Sequence, residues 1–280
     1  MKAPSDTMGG VQLSQHIVGP TLVIICVLMV ITAAAVYWST SLGSAWTVPR
    51  AAVRAVVQLT VVAAILTAAL RSLGTSLAVL SVMFVAAAVT AARRSQSDGS
   101  WLLAAALATG MIVVVPLLLA SGLVPLTGVA LVPIVGILLG STMTAVSVAA
   151  RRALDTLGTR AGEVEALLAL GFTDRLARME MIGPTAADAL LPNLDQTRTV
   201  GLVTLPGAFV GVLLSTGSAT QAGAVQILIL LSILVSQTCA VAVTLELVAR
   251  GAIRRAGREP GSRRWPLSFW RRRSASDTPH

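Results

Sequence analysis

Apolar and polar positions along the 280-residue chain separate into long runs of Ala, Val, Leu and Ile divided by short polar segments. Runs near the roughly 20 residues that cross a hydrocarbon core lie at Ile17 to Trp38, Val53 to Leu70, Ser72 to Ala92 and Trp101 to Ala120 in the first half. Val129 to Ala150, Val200 to Ser215 and Ala222 to Ala249 follow, the sixth short and the seventh long enough to tilt or to extend past the membrane. The runs are continuous rather than alternating, and too long for barrel strands of about ten residues. The pattern predicts an all-α polytopic membrane protein, a bundle of about seven transmembrane helices with one sizeable loop.

Arginine placement gives these spans an orientation, because segments rich in Lys and Arg stay cytoplasmic. Arg50 precedes the second span, Arg93 and Arg94 follow the third, Arg151 and Arg152 follow the fifth, and nine arginines from Arg250 to Arg273 follow the seventh. The segments "SGLVPLTG" and "TGSATQAG" carry no charge, and the one after the second span only Arg71. The amino terminus is therefore expected outside and the carboxyl terminus in the cytoplasm of a multi-pass protein of the inner or plasma membrane. The first run reads as a true span rather than a cleaved signal, since only Lys2 precedes its long apolar core.

Composition agrees: 55% hydrophobic and 12% charged residues with a mean hydropathy of +0.82 fall far from the roughly 25% charged residues of a soluble domain. The net charge of +9 is concentrated in the tail "RGAIRRAGREPGSRRWPLSFWRRR", directly beyond a membrane helix. That placement fits attraction to anionic lipid rather than to nucleic acid. The chain divides into a membrane domain, residues 1–250, and a basic tail, 251–280, expected to be disordered beyond about Gly257, with Trp265, Phe269 and Trp270 positioned for the bilayer interface. Cys26 and Cys239 fall inside apolar runs, so neither a disulfide framework nor a metal cluster is implied.

The loop between the fifth and sixth spans, residues 151–199, holds six arginines and seven carboxylates and cannot cross a membrane. Val164, Leu167, Leu168, Phe172, Leu176 and Met179 recur at spacings of three and four, which predicts an amphipathic helix. Gly171 interrupts it, and Thr173 followed by Asp174 reads as a cap and first-turn acid for a restart. A second helical stretch is expected to begin near Pro184 and to end at Pro192. Periodicity alone leaves open whether this element covers the bundle at the membrane surface or docks a partner.

"EALLALG", Glu165 to Gly171, looks like the E-A-A-x-x-x-G coupling motif of ABC-transporter permeases, with Met181 and "GP" where that motif carries an apolar residue and L-P. Leu167 and Gly183 depart from it. Together with "RAVVQLTVV", "VPIVGILLGSTM" and "LLPNLDQTRTVGLVTLPGAFVGVLL", the chain resembles the FetB family of ABC permeases associated with iron export, a group that includes aluminium-tolerance permeases of plants. The resemblance covers roughly residues 20 to 250.

It implies a permease subunit exporting iron or another metal ion or metal complex, assembly as a permease homodimer, and a cytoplasmic ATPase partner that carries the ATP and Mg, with no cofactor on this chain and no enzymatic activity of its own. Glu165, Leu168, Gly171, Phe172 and Asp174 are then the ATPase-coupling residues. Consistently, the only lysine is Lys2, so no G-x-x-x-x-G-K-[ST] phosphate loop exists in the chain. An ATP-independent secondary transporter or channel is the alternative. A membrane-embedded enzyme is disfavoured, because the spans contain neither a carboxylate pair nor a Ser and His pairing.

Several polar groups in the spans are candidates for translocation or gating. Arg54 and Gln58 share a helix face; Arg54 either snorkels to the headgroups or faces a pathway. Hydroxyls at Ser141, Thr142, Thr144 and Ser147, and Gln226, Ser232, Ser236 and Gln237 in the seventh span, are expected to bond between helices. Glu246 is expected to pair with Arg250 one turn later. In the sixth span Pro206, Gly207 and Gly211 predict a kinked or broken helix, and "GAFVG" and "GILLG" are G-x-x-x-G patterns that permit close helix approach. No metal ligand set is read from the spans: the histidines are His16 and His280, and iron would require His, Asp, Glu or Cys.

Overall fold

Six of the seven apolar runs fold as helices long and apolar enough to cross a membrane among the described residues. The structure, a computed structural model, describes residues 19–69 and 72–255. Lys2, His16, the start of the first span, Arg71, and the tail expectations at Gly257, Trp265, Phe269, Trp270 and His280 lie outside the described residues. The chain divides into two units, Met1–Ala68 and Ala69–His280.

The first unit is a helix pair. Helix α1, Pro20–Ser39, begins on a proline whose missing amide costs nothing in the first turn, and it has no buried residue. Its exposed residues are Leu, Val, Ile and Met, the all-round apolar surface of a helix that meets lipid. Helix α2, Thr47–Ala69, starts six residues before the expected Val53.

In the second unit, α3 (Leu73–Ser95), α4 (Leu103–Ala120), α5 (Gly128–Thr159) and α10 (Ala219–Ala249) are the long spans, and α6 (Ala161–Ala169), α7 (Asp174–Ala187), α8 (Leu191–Thr199) and α9 (Gly207–Thr216) connect α5 to α10. At 32 and 31 residues, α5 and α10 reach about 46–48 Å at 1.5 Å per residue, well beyond a core of about 30 Å. The surplus of α5 is a projection from the arginine side, nine residues past the expected Ala150. α3 packs against α5 and α4, α4 against α10 and α5, and α5 against α10; α7 lies across α5 and α10, and α9 flanks α10.

One end of the bundle is defined by a short antiparallel pairing of β1, Ser97–Asp98, with β2, Arg254–Arg255. It joins the α3–α4 connection to the chain leaving α10. On the same side Arg151 Nη2 donates to the Arg94 carbonyl at 2.7 Å, and Arg255 pairs with Asp155 at 3.0 Å. Arg93, Arg94, Arg151, Arg152, Arg250, Arg254 and Arg255 thus collect at one end, as the alternation of charged and uncharged segments requires.

Three expectations are corrected. The sixth span is not a full crossing: Val200 to Thr204 form a turn closed by Gly201 N donating to the Thr204 carbonyl at 2.9 Å, and Pro206 is the N-cap of α9. The ten residues of α9 reach about 15 Å, half the core. Pro184 does not begin a helix but lies inside α7; both it and Glu180 are exposed, so the Glu180 carbonyl deprived of an amide partner faces solvent. Pro192 does not end a helix but sits in the first turn of α8, where a missing amide is harmless.

Candidate functional site

Three apolar clusters fill the second unit, two of them stacked along the spans. One, toward the arginine end, contains Leu103, Leu107, Val146, Ala150, Ile182 and Val248. The other, toward the opposite end, contains Val114, Leu118, Leu131, Leu138, Ile229 and Ile233. Between them, at the middle of α4, α5 and α10, lies a polar layer. Thr142 Oγ1 and Ser236 Oγ are 2.8 Å apart and fully buried, and Gln237 Nε2 donates to the Ser141 carbonyl at 3.0 Å. Of the side chains expected to bond between helices, Thr142, Ser236 and Gln237 do so, whereas Thr144, Ser147 and Ser232 instead donate to carbonyls one turn back in their own helices. α4 reaches this layer through Gly110, where a Cβ would stand 2.6 Å from the Ser236 carbonyl oxygen and 2.7 Å from its Oγ.

Two acceptors on α10 are buried without a hydrogen-bond partner, Gln226 Oε1 and Gln237 Oε1. Eleven residues apart, they share one face at 100° per residue, separated by about 16 Å along the axis. Such amide and hydroxyl oxygens suit a cation or a polar solute in transit rather than a tight transition-metal site. Among the described residues no three His, Cys, Asp or Glu side chains converge to hold a metal.

The other translocation candidates divide between the units. Arg54 and Gln58 lie on one exposed α2 face, where with Trp46, Pro49, Arg50, Val53 and Val57 they line an open groove of about 500 Å³. In the second unit, α9 brings Pro206, Gly207 and Gly211 alongside the α10 segment that carries Gln226, with Ala208 and Val225 against the same apolar cluster. The first residue of α9, at the positive end of that helix, is ten positions before the turn at Gly217, about 15 Å along the axis. The close approach expected at "GAFVG" is not made within this chain: a Cβ at Gly207 or Gly211 would meet nothing within 4 Å. In "GILLG", a Cβ at Gly136 would stand 2.9 Å from the Met83 methyl, while one at Gly140 would meet nothing within 4 Å.

The predicted bend is present between α6 and α7. Gly171 adopts φ +92°, and Phe172 N donates to the Leu167 carbonyl at 3.1 Å while Gly171 N donates to that of Leu168 at 3.0 Å. This glycine-terminated arrangement satisfies the last carbonyls of α6. Thr173 Oγ1 accepts from Leu176 N at 3.4 Å and Asp174 occupies the first turn of α7. Of the apolar face read from the sequence, Leu168, Phe172 and Leu176 are exposed, as is Leu170 beside them, by 76%. The bend breaks the register of a single helix, and α7 instead buries Ala177, Ile182 and Ala186. Glu165 lies on the exposed surface of α6. At the head of α6 the Arg160 guanidinium hydrogen-bonds Glu163 and holds that carboxyl below its usual range.

The reverse side of α7 is anchored. Arg175 donates through Nε and Nη2 to the two Glu246 oxygens, each at 2.7 Å, and Arg250 Nε reaches Glu246 Oε1 at 2.6 Å. The expected Glu246–Arg250 pair is thus one half of a three-residue cluster. Thr156 Oγ1 donates to Thr185 Oγ1 at 3.1 Å, Arg152 pairs with Asp188, and Ala186 and Ala189 meet Ala145, Ala149 and Val241. Arg198 and Asp195 pair locally on α8 at 3.4 Å. Sequence reasoning missed Gly110, whose only signal is a lone glycine amid apolar residues, and Arg175, 71 positions from its partner.

Comparison with known proteins places this arrangement. Residues 20–253 match the uncharacterised protein family UPF0014. The chain is 29% identical over 220 residues to the UPF0014 membrane protein STAR2 of Oryza sativa subsp. japonica, covering 77% of each chain. It is 32% identical over 197 residues to the UPF0014 membrane protein YjkA of Bacillus subtilis, covering 68% of this chain and 79% of that one. It is also 28% identical over 180 residues to the probable iron export permease protein FetB of Escherichia coli, covering 63% and 70%. No solved structure matches the chain. An all-α polytopic architecture and a match running from the first span to the last helix lead to one assignment: the chain is a membrane protein of the UPF0014 family.

Proposed function

We propose that this chain is the permease subunit of an ABC-type transporter, exporting a metal ion or metal complex, with iron the first candidate, under the drive of a separate cytoplasmic ATPase. The observation that carries the proposal is the bend at Gly171. Exposed Leu168, Leu170, Phe172 and Leu176 surround it on one side, and on the other α7 is held to α10 through Arg175 and Glu246. Apolar side chains projecting from the arginine-rich end suit a hydrophobic docking groove, and a rigid anchor lets movement of the bend reach the spans. Iron and export come from the name of the E. coli relative.

In this reading the arginine-rich end is cytoplasmic, the amino terminus is outside, two copies pair across the membrane, and ATP and Mg belong to the ATPase. The bend, with Glu165 and Asp174, docks the partner. Closure of the ATPase pair on ATP pulls α7, and through Glu246 shifts α10 against the half-helix α9, altering access to the buried polar layer.

The test is copurification of the full chain with its candidate ATPase from detergent-solubilised membranes. Phe172→Asp with Leu176→Asp should lower recovered ATPase at least tenfold with membrane insertion unchanged. Recovery equal to that of the parent chain overturns the docking assignment.

A further inference from the structure

At the arginine end of the bundle, a cavity of about 320 Å³ opens between the end of α3 and the face of α5, lined by Arg94, Thr144, Ser147, Val148, Arg151 and Arg152. Its charge is unbalanced. Arg152 is paired with Asp188, and the neighbouring Asp155 is taken by Arg255. Arg151 spends one N–H on the Arg94 carbonyl, which fixes its guanidinium and leaves its remaining donors for another acceptor. Two guanidiniums without a carboxylate partner among the described residues, and a third with one, therefore face a common space. A fork of N–H groups held this way matches the oxygens of a phosphate in geometry and charge.

The other wall identifies the carrier of that phosphate. Thr144, Ser147 and Val148 belong to the membrane-spanning part of α5. The face continues away from the arginines through Val148, Thr144, Gly140 and Ile137 at spacings of three and four. Thr144 and Gly140 are exposed, Ile137 is 41% exposed, and a Cβ at Gly140 would meet nothing within 4 Å. A ligand with an anionic head at the arginines and a hydrocarbon chain along this shallow stripe fills both parts, whereas a free anion uses only the first.

We propose that the α3–α5 cavity is a binding site for the phosphodiester headgroup of an anionic phospholipid, with one acyl chain lying along the Val148–Ile137 face of α5. The site is independent of the transport reading, since it requires only that these ends lie at a membrane surface.

The test is performed on the full chain in phosphatidylcholine nanodiscs, with and without spin-labelled phosphatidylglycerol, reading the motionally restricted fraction of the label. Arg94→Gln with Arg151→Gln should weaken phosphatidylglycerol binding by roughly 25-fold, about fivefold per arginine near the membrane surface. The basic tail is the same in both proteins, so the difference reports the cavity. Arg94→Lys with Arg151→Lys, which keeps the charge and loses the forks, should fall between the two and guards against a variant that fails to fold. Gly140→Leu should weaken the lipid and leave inorganic phosphate binding unchanged.

Phosphatidylglycerol binding by the double glutamine variant equal to that of the parent chain overturns the proposal. So does displacement of the label by millimolar inorganic phosphate in the parent but not in the variant, which would assign the cavity to a free phosphate group.

Discussion

Gly110→Ala probes a close approach of α4 to the α10 backbone. The added methyl would lie 2.6 Å from the Ser236 carbonyl oxygen and 2.7 Å from Ser236 Oγ, against an ordinary carbon-to-oxygen contact of about 3.3–3.6 Å. The carbonyl belongs to the helix and cannot swing aside, so α10 must retreat by about 0.7–1.0 Å. Overfilling of a close-packed core costs about 1–3 kcal/mol. A retreat of that size also breaks the 2.8 Å contact between Thr142 and Ser236, about 0.6–1.7 kcal/mol in a membrane bundle. The total, about 1.6–4.7 kcal/mol, shifts the unfolding equilibrium by roughly 15- to 2500-fold. The assay is reversible unfolding by SDS in mixed micelles, followed by tryptophan fluorescence. Thr142→Val should lose only the hydrogen-bond part, and Gly110→Ala with Ser236→Ala should recover only a fraction, because the carbonyl clash remains. A Gly110→Ala protein within about 0.5 kcal/mol of the parent would refute the close approach.

Three further outcomes concern the loop. Gly171→Ala places a Cβ at φ +92° and should destabilise the α6–α7 bend by about 1–2 kcal/mol, and Gly171→Pro by more; both are read as faster hydrogen exchange over 165–176 with α4 unchanged. Glu246→Gln removes the charge shared by Arg175 and Arg250 and should lower exchange protection across α7 while leaving α6 unaffected. The carboxyl of Glu163 is depressed below its ordinary 4.5 by the Arg160 hydrogen bond. Its support of the α6 start is therefore fully present above that ordinary value and is lost as pH falls through the lower folded value. Exchange over 161–164, corrected for intrinsic pH dependence, should rise across that window in the parent and stay flat in Glu163→Gln.

Most of the fold was legible because length and continuous hydrophobicity are local signals: the long runs became helices, and arginine placement put the ends of α3, α5 and α10 together. The bend was legible for the same reason, since Gly171, Thr173 and Asp174 carry their capping chemistry within four positions. What failed were readings that needed tertiary context. Pro184 and Pro192 read locally as punctuation, yet α7 continues through Pro184 because its packing on α5 and α10 outweighs the lost hydrogen bond, and Pro192 sits harmlessly in a first turn; only the neighbouring structure tells these cases apart. The periodicity of the loop leaves open what its apolar face covers; in the structure Leu168, Phe172 and Leu176 project outward while Ala177, Ile182 and Ala186 of α7 are buried. The Arg175–Glu246 pair and the role of Gly110 depend on helices distant in the chain, for which residue spacing carries no signal.

The central claim is that transport through this chain is driven by a partner ATPase acting on the bend at Gly171. It is tested most directly in proteoliposomes holding the chain and the ATPase, with the ATPase face toward the bulk solution, by measuring uptake of Fe(II) and a panel of other divalent cations with and without ATP. The account predicts accumulation that requires both ATP and the ATPase and is abolished by Phe172→Asp with Leu176→Asp. Equal accumulation in vesicles lacking ATP or the partner would contradict it and identify a secondary transporter or channel.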